Sequence, residues 1–326
     1  MITAPTRTRR GASHASDKIG WKLRRSGALQ ILEAAPFAQL DWLVHGFSTC
    51  PGGVSELISS NRESGGRGAP GNRSATERVL NLGFTDWDQR ERVLANRKKF
   101  FRAIGADDLQ PVTLRQIHSD IPLRANAALA QSKEPPQADA LFTREPGTLL
   151  AIQTADCIPI LLADTRLHAV AAIHAGWRGT LRRIAAKTLG RMQMEFGTRP
   201  SDVIAALGPG IGRCCYEVGE DVAREFDSQF PNAREWFDGP FDALASGEND
   251  PNWLPWLTMK PPGHAPPPLR VNLDLIAANR AILADAGVPA ARIFSSDYCT
   301  SCRTDLFFSY RREHTTGRMM AVIGIR

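Results

Sequence analysis

The sequence predicts an α/β or α+β fold, a single domain of mixed β-sheets flanked by helices. Three observations point there. Short apolar runs alternate irregularly with helical patterns along the 326 residues. Several runs, such as 158–163 and 169–174, are apolar at nearly every position, which suits strands buried on both faces. No internal period marks a repeat array.

Taken in order, residues 1–27 read as a flexible basic tail, with Arg7, Arg9, Arg10, Lys22, Arg24 and Arg25 carrying much of the net charge of +6. A single domain is expected to span 28–326. Residues 40–47 read as a strand and 49–55, with Gly52 and Gly53, as a turn. Helical spacing covers 88–104, with Val93, Leu94, Phe100, Phe101 and Ile104 apolar. A short strand is expected at 112–117, ending at His118. Further strands are expected at 149–153, 158–163, 169–174 and 203–207, and a helix runs from the GWRGT string to about residue 196. Helices follow at 221–230 and at 273–286, the latter stopped by Gly287, then closing strands at 293–296 and 320–325. Two segments stand apart as insertions, a Gly/Ser/Arg-rich one near 59–78 and a Pro/Trp-rich one near 240–268, whose proline density excludes packed helix or central strand.

Composition narrows the function classes. With 43% hydrophobic and 23% charged residues the chain is an ordinary globular protein. No apolar run approaches the length of a membrane span, and the N-terminus lacks an apolar secretory core. No nucleic-acid-binding signature accompanies the basic tail, so neither a nucleic acid nor a membrane is expected as a partner. The six cysteines are sparse, as in a reducing compartment, and a cytoplasmic location is expected. The motifs carry no signal of oligomeric state.

Three segments carry chemistry: RQIHSD at 115–120, TADCIP at 154–159 and AIHAGWRG at 172–179. Each sets a metal-competent side chain near the end of an apolar strand, where backbone stops and side chains converge. His118, Cys157 and His174 supply two imidazoles and a thiolate, a donor set that suits zinc and leaves a fourth position for water or substrate. Taken singly, each also reads as a hydrogen-bonded buried histidine or a small core cysteine. Around them, Arg178 reads either as a clamp for phosphate or as a salt bridge fixing its turn. Asp156 reads as a partner orienting His118 or His174, or as a cap. Gln116 either hydrogen-bonds substrate or steadies its strand end, with Arg115 on the opposite face. Cys299 and Cys302 form a CxxC that, with Cys214 and Cys215, admits a second structural zinc site or a redox pair; neither reading is favoured. The GPGIG string at 208–212 lacks the order of a dinucleotide loop and the lysine of a P-loop.

The strings HAGWRGT (174–180) and TADCIPILLAD (154–164) resemble the laccase-domain family, the YfiH-like proteins. HGFST (45–49), GGVS (52–55), NLG (81–83), QIH (116–118), GPGIG (208–212), CCYEV (214–218), FFSYRR (307–312) and TGR (316–318) extend the likeness in order over residues 40–326. Members of that family have been described as multicopper polyphenol oxidases and as purine nucleoside phosphorylases with adenosine deaminase activity. The resemblance implies a four-layer αββα sandwich. It also implies a catalytic zinc on His118, Cys157 and His174, and a reaction of adenosine, inosine or methylthioadenosine with phosphate. Cys50 stands where the family usually has a basic residue, removing one expected anion contact. Three rival readings remain. Copper oxidation of phenols is weakened by only seven histidines and no H-x-H. The others are amide hydrolysis with Cys157 as nucleophile and a non-enzymatic module in which metal is structural. The motifs announce no fourth protein ligand, which favours catalysis over that last reading.

Overall fold

The computed structural model describes residues 20–58, 76–132, 134–239 and 270–326. The first strands are β1 (Trp21–Ser26), β2 (Leu29–Ala34), β3 (Leu43–Ser48), β4 (Pro51–Ile58) and β5 (Thr76–Val79), followed by helix α1 (Arg90–Ala103). Next come β6 (Gln110–Val112), β7 (Pro122–Arg124), the single turn α2 (Ala127–Ala130), β8 (Ala140–Thr143), β9 (Thr148–Thr154), β10 (Ile158–Asp164) and β11 (Ala169–Ala175). Helices α3 (Trp177–Leu181) and α4 (Ile184–Phe196) lead to β12 (Val203–Leu207), β13 (Glu217–Gly219), α5 (Glu220–Gln229) and β14 (Phe237–Asp238). The chain closes with β15 (Arg270–Leu273), α6 (Leu275–Asp285), β16 (Ile293–Ser295), α7 (Tyr310–Glu313) and β17 (Met319–Ile325).

Two six-stranded sheets dominate, ordered β1-β2-β3-β17-β9-β6 and β16-β12-β10-β11-β8-β7. Both are mixed: β6 with β9, β7 with β8 and β12 with β16 pair in parallel, and the other pairs are antiparallel. Side-chain alternation decides the layering. In β17, Ala321, Ile323 and Ile325 pack in one cluster with Leu161 and Ala163 of β10, Val170 and Ala172 of β11 and Ala206 of β12. That cluster is the seam between the sheets. The intervening Met320 and Val322 face the other way, onto Phe100, Phe101 and Ile104 at the end of α1. In β10, Ile158, Ile160 and Leu162 lie with Leu189 of α4, Phe226 of α5 and Ile282 of α6. Helix, sheet, sheet, helix is therefore the order of layers. It explains why β10, β11 and β17 are buried at all seven positions although their pairing is antiparallel. Each fully buried Leu or Ile on these strands contributes about 1.5–3 kcal/mol.

The structure departs from the sequence reading in several places. Residues 20–27 are not tail. Trp21 is buried against Phe47, with ring centroids 5.2 Å apart. Arg24 pairs with Glu33 at 2.7 Å, so β1 closes the edge of the first sheet. The Gly52-Gly53 segment lies in β4, at a register shift against β5 rather than at a turn. A Cβ on Gly53 would fall 2.0 Å from the Val79 carbonyl oxygen. The expected strand at 112–117 ends at Val112, and only Arg115 continues pairing, as a bridge to Gln137. The helix read as continuous from GWRGT to 196 is broken at Arg183, whose φ is 59°. The Arg183 guanidinium donates to the Gln229 carbonyl at the end of α5 and stacks over Phe230. Of the expected insertions, 59–75 and 240–269 lie outside the described residues, while Thr76–Val79 is β5. No described helix is long and apolar enough to cross a membrane.

Candidate active site

His118 follows the first parallel strand β6, Cys157 sits in the turn between β9 and β10, and His174 lies one residue from the end of β11. The fold gathers all three. Their ligand atoms lie within 4.8 Å of one another, with Cys157 Sγ 3.9 Å from His118 Nε2. The two imidazoles meet edge to face at 5.0 Å. Gly176 makes this convergence feasible. A Cβ there would stand 3.0 Å from the Cys157 sulfur and 3.2 Å from His118 Cδ2.

One residue outside the sequence reading organises the cluster. Asp139, fully buried just before β8, accepts five hydrogen bonds. The backbone amides of Ile117, His118 and Ser119 donate at 3.2, 3.0 and 2.6 Å. The Ser119 hydroxyl donates at 2.7 Å, and His174 Nδ1 at 2.8 Å. Burial alone would raise its carboxyl, but the His174 and Ser119 hydrogen bonds outweigh that and hold it at about 2. An ionised Asp139 fixes the proton on Nδ1 of His174 and turns Nε2 toward the cluster. The same carboxylate grips the amide of His118 at its left-handed φ of 56°, so one buried charge positions two donor groups. Its signal in the sequence is an acidic residue set directly before the apolar run 140–142.

In the metal-free chain, burial would raise the Cys157 thiol, but the imidazoles of His174 and His118 overcome this and bring it to about 6. His174 is driven the other way. Burial opposes its charge, but Cys157 and Asp139 raise it to about 9. A thiolate, an oriented imidazole and a second, more exposed imidazole form a mixed nitrogen and sulfur donor set, and that chemistry fits a single zinc-like ion.

The cluster opens onto a cleft of about 590 Å³, a size suited to a small-molecule ligand. Three arginines line it, Arg178, Arg311 and Arg318, together with Trp177, Tyr216 and Tyr310. Arg178 lies over Trp177 at 4.4 Å, and the ion pairs seen among the described residues do not include its guanidinium. Arg311 is tied to the Glu217 carbonyl at 2.8 Å and Arg318 to that of Gly317 at 3.0 Å. Tyr216, half-buried, has its phenol pushed up by burial and by Cys157, so it stays a neutral donor.

Other expected site residues take different roles. Asp156 lines the cleft but orients neither histidine. Its carboxylate accepts from the Thr300 hydroxyl and the Arg311 amide, both at 2.7 Å, and its own carbonyl accepts from Ile211. These bonds hold its φ of 90° and bind the Cys157 turn to the C-terminal segment. The Gln116 side chain is spent on both backbone groups of Gln153, at 2.7 and 2.8 Å, which is the strand-steadying role. Cys50 is buried in a core cluster with Leu306 and Phe307 and is no part of the cleft wall, so its departure from the family pattern removes no contact there. Tyr216, Arg311 and Arg318 were written in the CCYEV, FFSYRR and TGR strings but carried no assignable role in the sequence alone.

A family model described as multi-copper polyphenol oxidoreductase laccase matches residues 45–326. The chain is 37% identical over 254 residues to purine nucleoside phosphorylase YlmD of Geobacillus stearothermophilus, covering 76% of this chain and 84% of that protein. It is 35% identical over 231 residues to adenosine deaminase RL5 from an unknown prokaryotic organism, covering 69% and 78%. Among solved structures, the Bacillus licheniformis hypothetical protein YfiH superposes with a TM-score of 0.72 at 27% identity, over 94% of this chain and 99% of that one. The aligned span contains the whole cleft and its ligand cluster, and the chain belongs to the multi-copper polyphenol oxidoreductase laccase family, the YfiH-like proteins.

Proposed function

We propose that this chain is a zinc-dependent purine nucleoside phosphorylase, acting on adenosine, inosine and methylthioadenosine, with adenosine deamination as a second activity of the same cleft. The observation that carries the reading is the three-donor cluster opening onto a cleft of about 590 Å³ beside Arg178, which has no carboxylate partner among the described residues. His118, Cys157 and His174 would hold the zinc, which supplies Lewis acidity beside the substrate. Asp139 keeps His174 in the ligating tautomer. Arg178 offers its guanidinium to phosphate, for which a planar fork of donors is the matching geometry. In phosphorolysis a phosphate oxygen bonds to C1′ of the ribose as the bond to the base breaks. The electron pair leaves with the base, which takes up a proton. Arg178 holds the attacking anion in place and its charge persists through the step. Tyr216 faces the cleft as a neutral hydrogen-bond donor for base or sugar. None of the six cysteines is in a disulfide, which agrees with a reducing, cytoplasmic setting.

The family's name favours copper. Against it, only His118 and His174 converge among the described histidines. His45 accepts the Ala34 amide inside the first sheet, His168 stacks on Trp42, and His314 lies beside Tyr310. Multicopper oxidation needs histidines in numbers at one place. The test is product identification from a nucleoside panel with and without phosphate. Free base and ribose 1-phosphate, formed only with phosphate, are expected. Equal base release with free ribose and no phosphate would overturn the phosphorylase reading. Inosine formed from adenosine would report deamination, and oxygen consumption with a phenol on copper loading, without nucleoside cleavage, would replace the proposal by an oxidase.

A further inference from the structure

We infer that Cys214, Cys215, Cys299 and Cys302 form a second, structural metal site, a closed tetrathiolate for one zinc ion that staples together two turns beside the cleft. Four of the six cysteines of the chain converge here from segments some 87 residues apart, and their sulfurs all lie within 4.8 Å of one another. Cys302 Sγ stands 3.5 Å from that of Cys214 and 3.4 Å from that of Cys215. A disulfide would bring two sulfurs to about 2.05 Å, and Cys302 is poised equally toward two partners, which no single bridge can satisfy. Sulfurs each about 2.3 Å from one tetrahedral ion are separated by about 3.8 Å, close to what is seen. They stand too near one another to hold the separate irons of a multi-iron cluster.

The surrounding backbone supports the same chemistry. The Gly212 amide donates to Cys299 Sγ at 3.2 Å. An amide aimed at a sulfur stabilises a thiolate. Gly212 also clears the space. A Cβ there would stand 3.1 Å from Cys299 Cβ and 3.4 Å from the Cys214 sulfur. The turns are already registered, with the Thr300 amide donating to the Gly210 carbonyl at 2.9 Å. All four positions of the ion would be filled by protein, the mark of a structural site, whereas the cluster in the cleft has three donors. The staple bears on the cleft through Tyr216, next to Cys215, and Ile211, whose amide holds the Asp156 carbonyl.

The test is zinc content of the full-length protein, purified in zinc-buffered solution, read by elemental analysis. Two zinc ions per chain are expected. The double variant Cys214→Ser/Cys302→Ser should hold one, His118→Ala should hold one, and the combination none. Cys302→His replaces one donor by another and should keep the second ion, which separates ligand loss from misfolding. If the cleft reading alone fails, His118→Ala leaves the zinc content unchanged while the double cysteine variant still loses one ion. Alkylation mapped by mass spectrometry should spare all four thiols until a chelator is added. One zinc in the wild type with no change in the double variant, iron in place of zinc, a Cys302 disulfide, or immediate alkylation of the four thiols would each overturn the proposal.

Discussion

The donor cluster in the cleft and the four-thiol cluster beside it draw on different parts of the fold. His118 stands in the loop after the edge strand β6, Cys157 in the turn after β9 and His174 near the end of β11, and a fully buried carboxylate, Asp139, ties the two histidine segments together. The four thiols stand on two turns, with Cys214 and Cys302 exposed, and the hydrogen bonds among them come from the Gly212 amide and from one another. One cluster is preorganised by the protein and open on one side. The other is closed and would be organised largely by what it binds. Preorganisation by packed strands suits a site that must keep its geometry through turnover. Closure by ligands suits a site whose work is to hold two loops.

That contrast can be broken most directly at the ligands. Cys157→Ser and His174→Ala should each reduce nucleoside cleavage to background and remove the cleft ion, because a neutral hydroxyl or methyl is no substitute for the donor lost. The cooperative unfolding transition should persist, since the strands carry the fold. Full activity with either variant, measured against the same protein concentration, would remove these residues from the site.

The next effect in size belongs to Asp139. Asp139→Asn keeps the shape but loses the charge that fixes His174 and the 117–119 amides. Loss of such a partner costs about 10–100-fold in metal affinity or activity. Competition with a zinc chelator, followed with kcat, measures it. An unchanged affinity would show that the strand scaffold alone sets the histidines, and that the carboxylate at 2.8 Å from Nδ1 serves folding only.

Arg178 tests the chemistry rather than the scaffold. A hydrogen bond between charged groups contributes about 1.5–3 kcal/mol, so Arg178→Ala should raise the phosphate KM roughly ten-fold or more, with zinc content unchanged. An unaltered phosphate dependence would move anion binding to Arg311 or Arg318, whose guanidiniums are already engaged by carbonyl oxygens.

The three candidate donors stood out only together, through the small-residue turns around them and the family likeness, since each alone reads equally as a buried histidine or a core cysteine. The strands β10, β11 and β17 were legible as continuous apolar runs, and the layer order followed from the family likeness. Other features depend on partners distant in the chain. Trp21 fixes β1 only because Phe47 lies across from it. Asp156 serves Thr300 and Arg311 instead of an imidazole because the C-terminal segment folds back over its turn. Asp139 sits some 20 and 35 residues from the groups it holds, so no spacing rule points to it. The four thiols were visible as residues, but only folding brings the two pairs together across 87 positions.

The finest distinction between the two clusters concerns thiol reactivity once metal is stripped. Exposure alone predicts that Cys214 and Cys302 alkylate before Cys157, which is partly covered. Charge predicts the reverse. The attacking species is the thiolate. Burial opposes ionisation of Cys157, yet the two imidazoles carry it down to about 6, so above that pH most of it is thiolate. Burial pushes Cys214 up to about 11 against an opposing bond from Cys302, with smaller upward contributions from the thiols of Cys299 and Cys215. In chelator-treated protein at neutral pH, iodoacetamide should therefore label Cys157 ahead of Cys214, with a rate that rises to half its plateau near pH 6. In zinc-replete protein Cys157 should be spared, because its lone pair is committed to the metal. If Cys157 instead reacts fastest with zinc present and carries a trapped acyl or glycosyl group, the cleft cysteine is a nucleophile, and the contrast between an open catalytic ion and a closed structural one gives way to a hydrolase with one metal site.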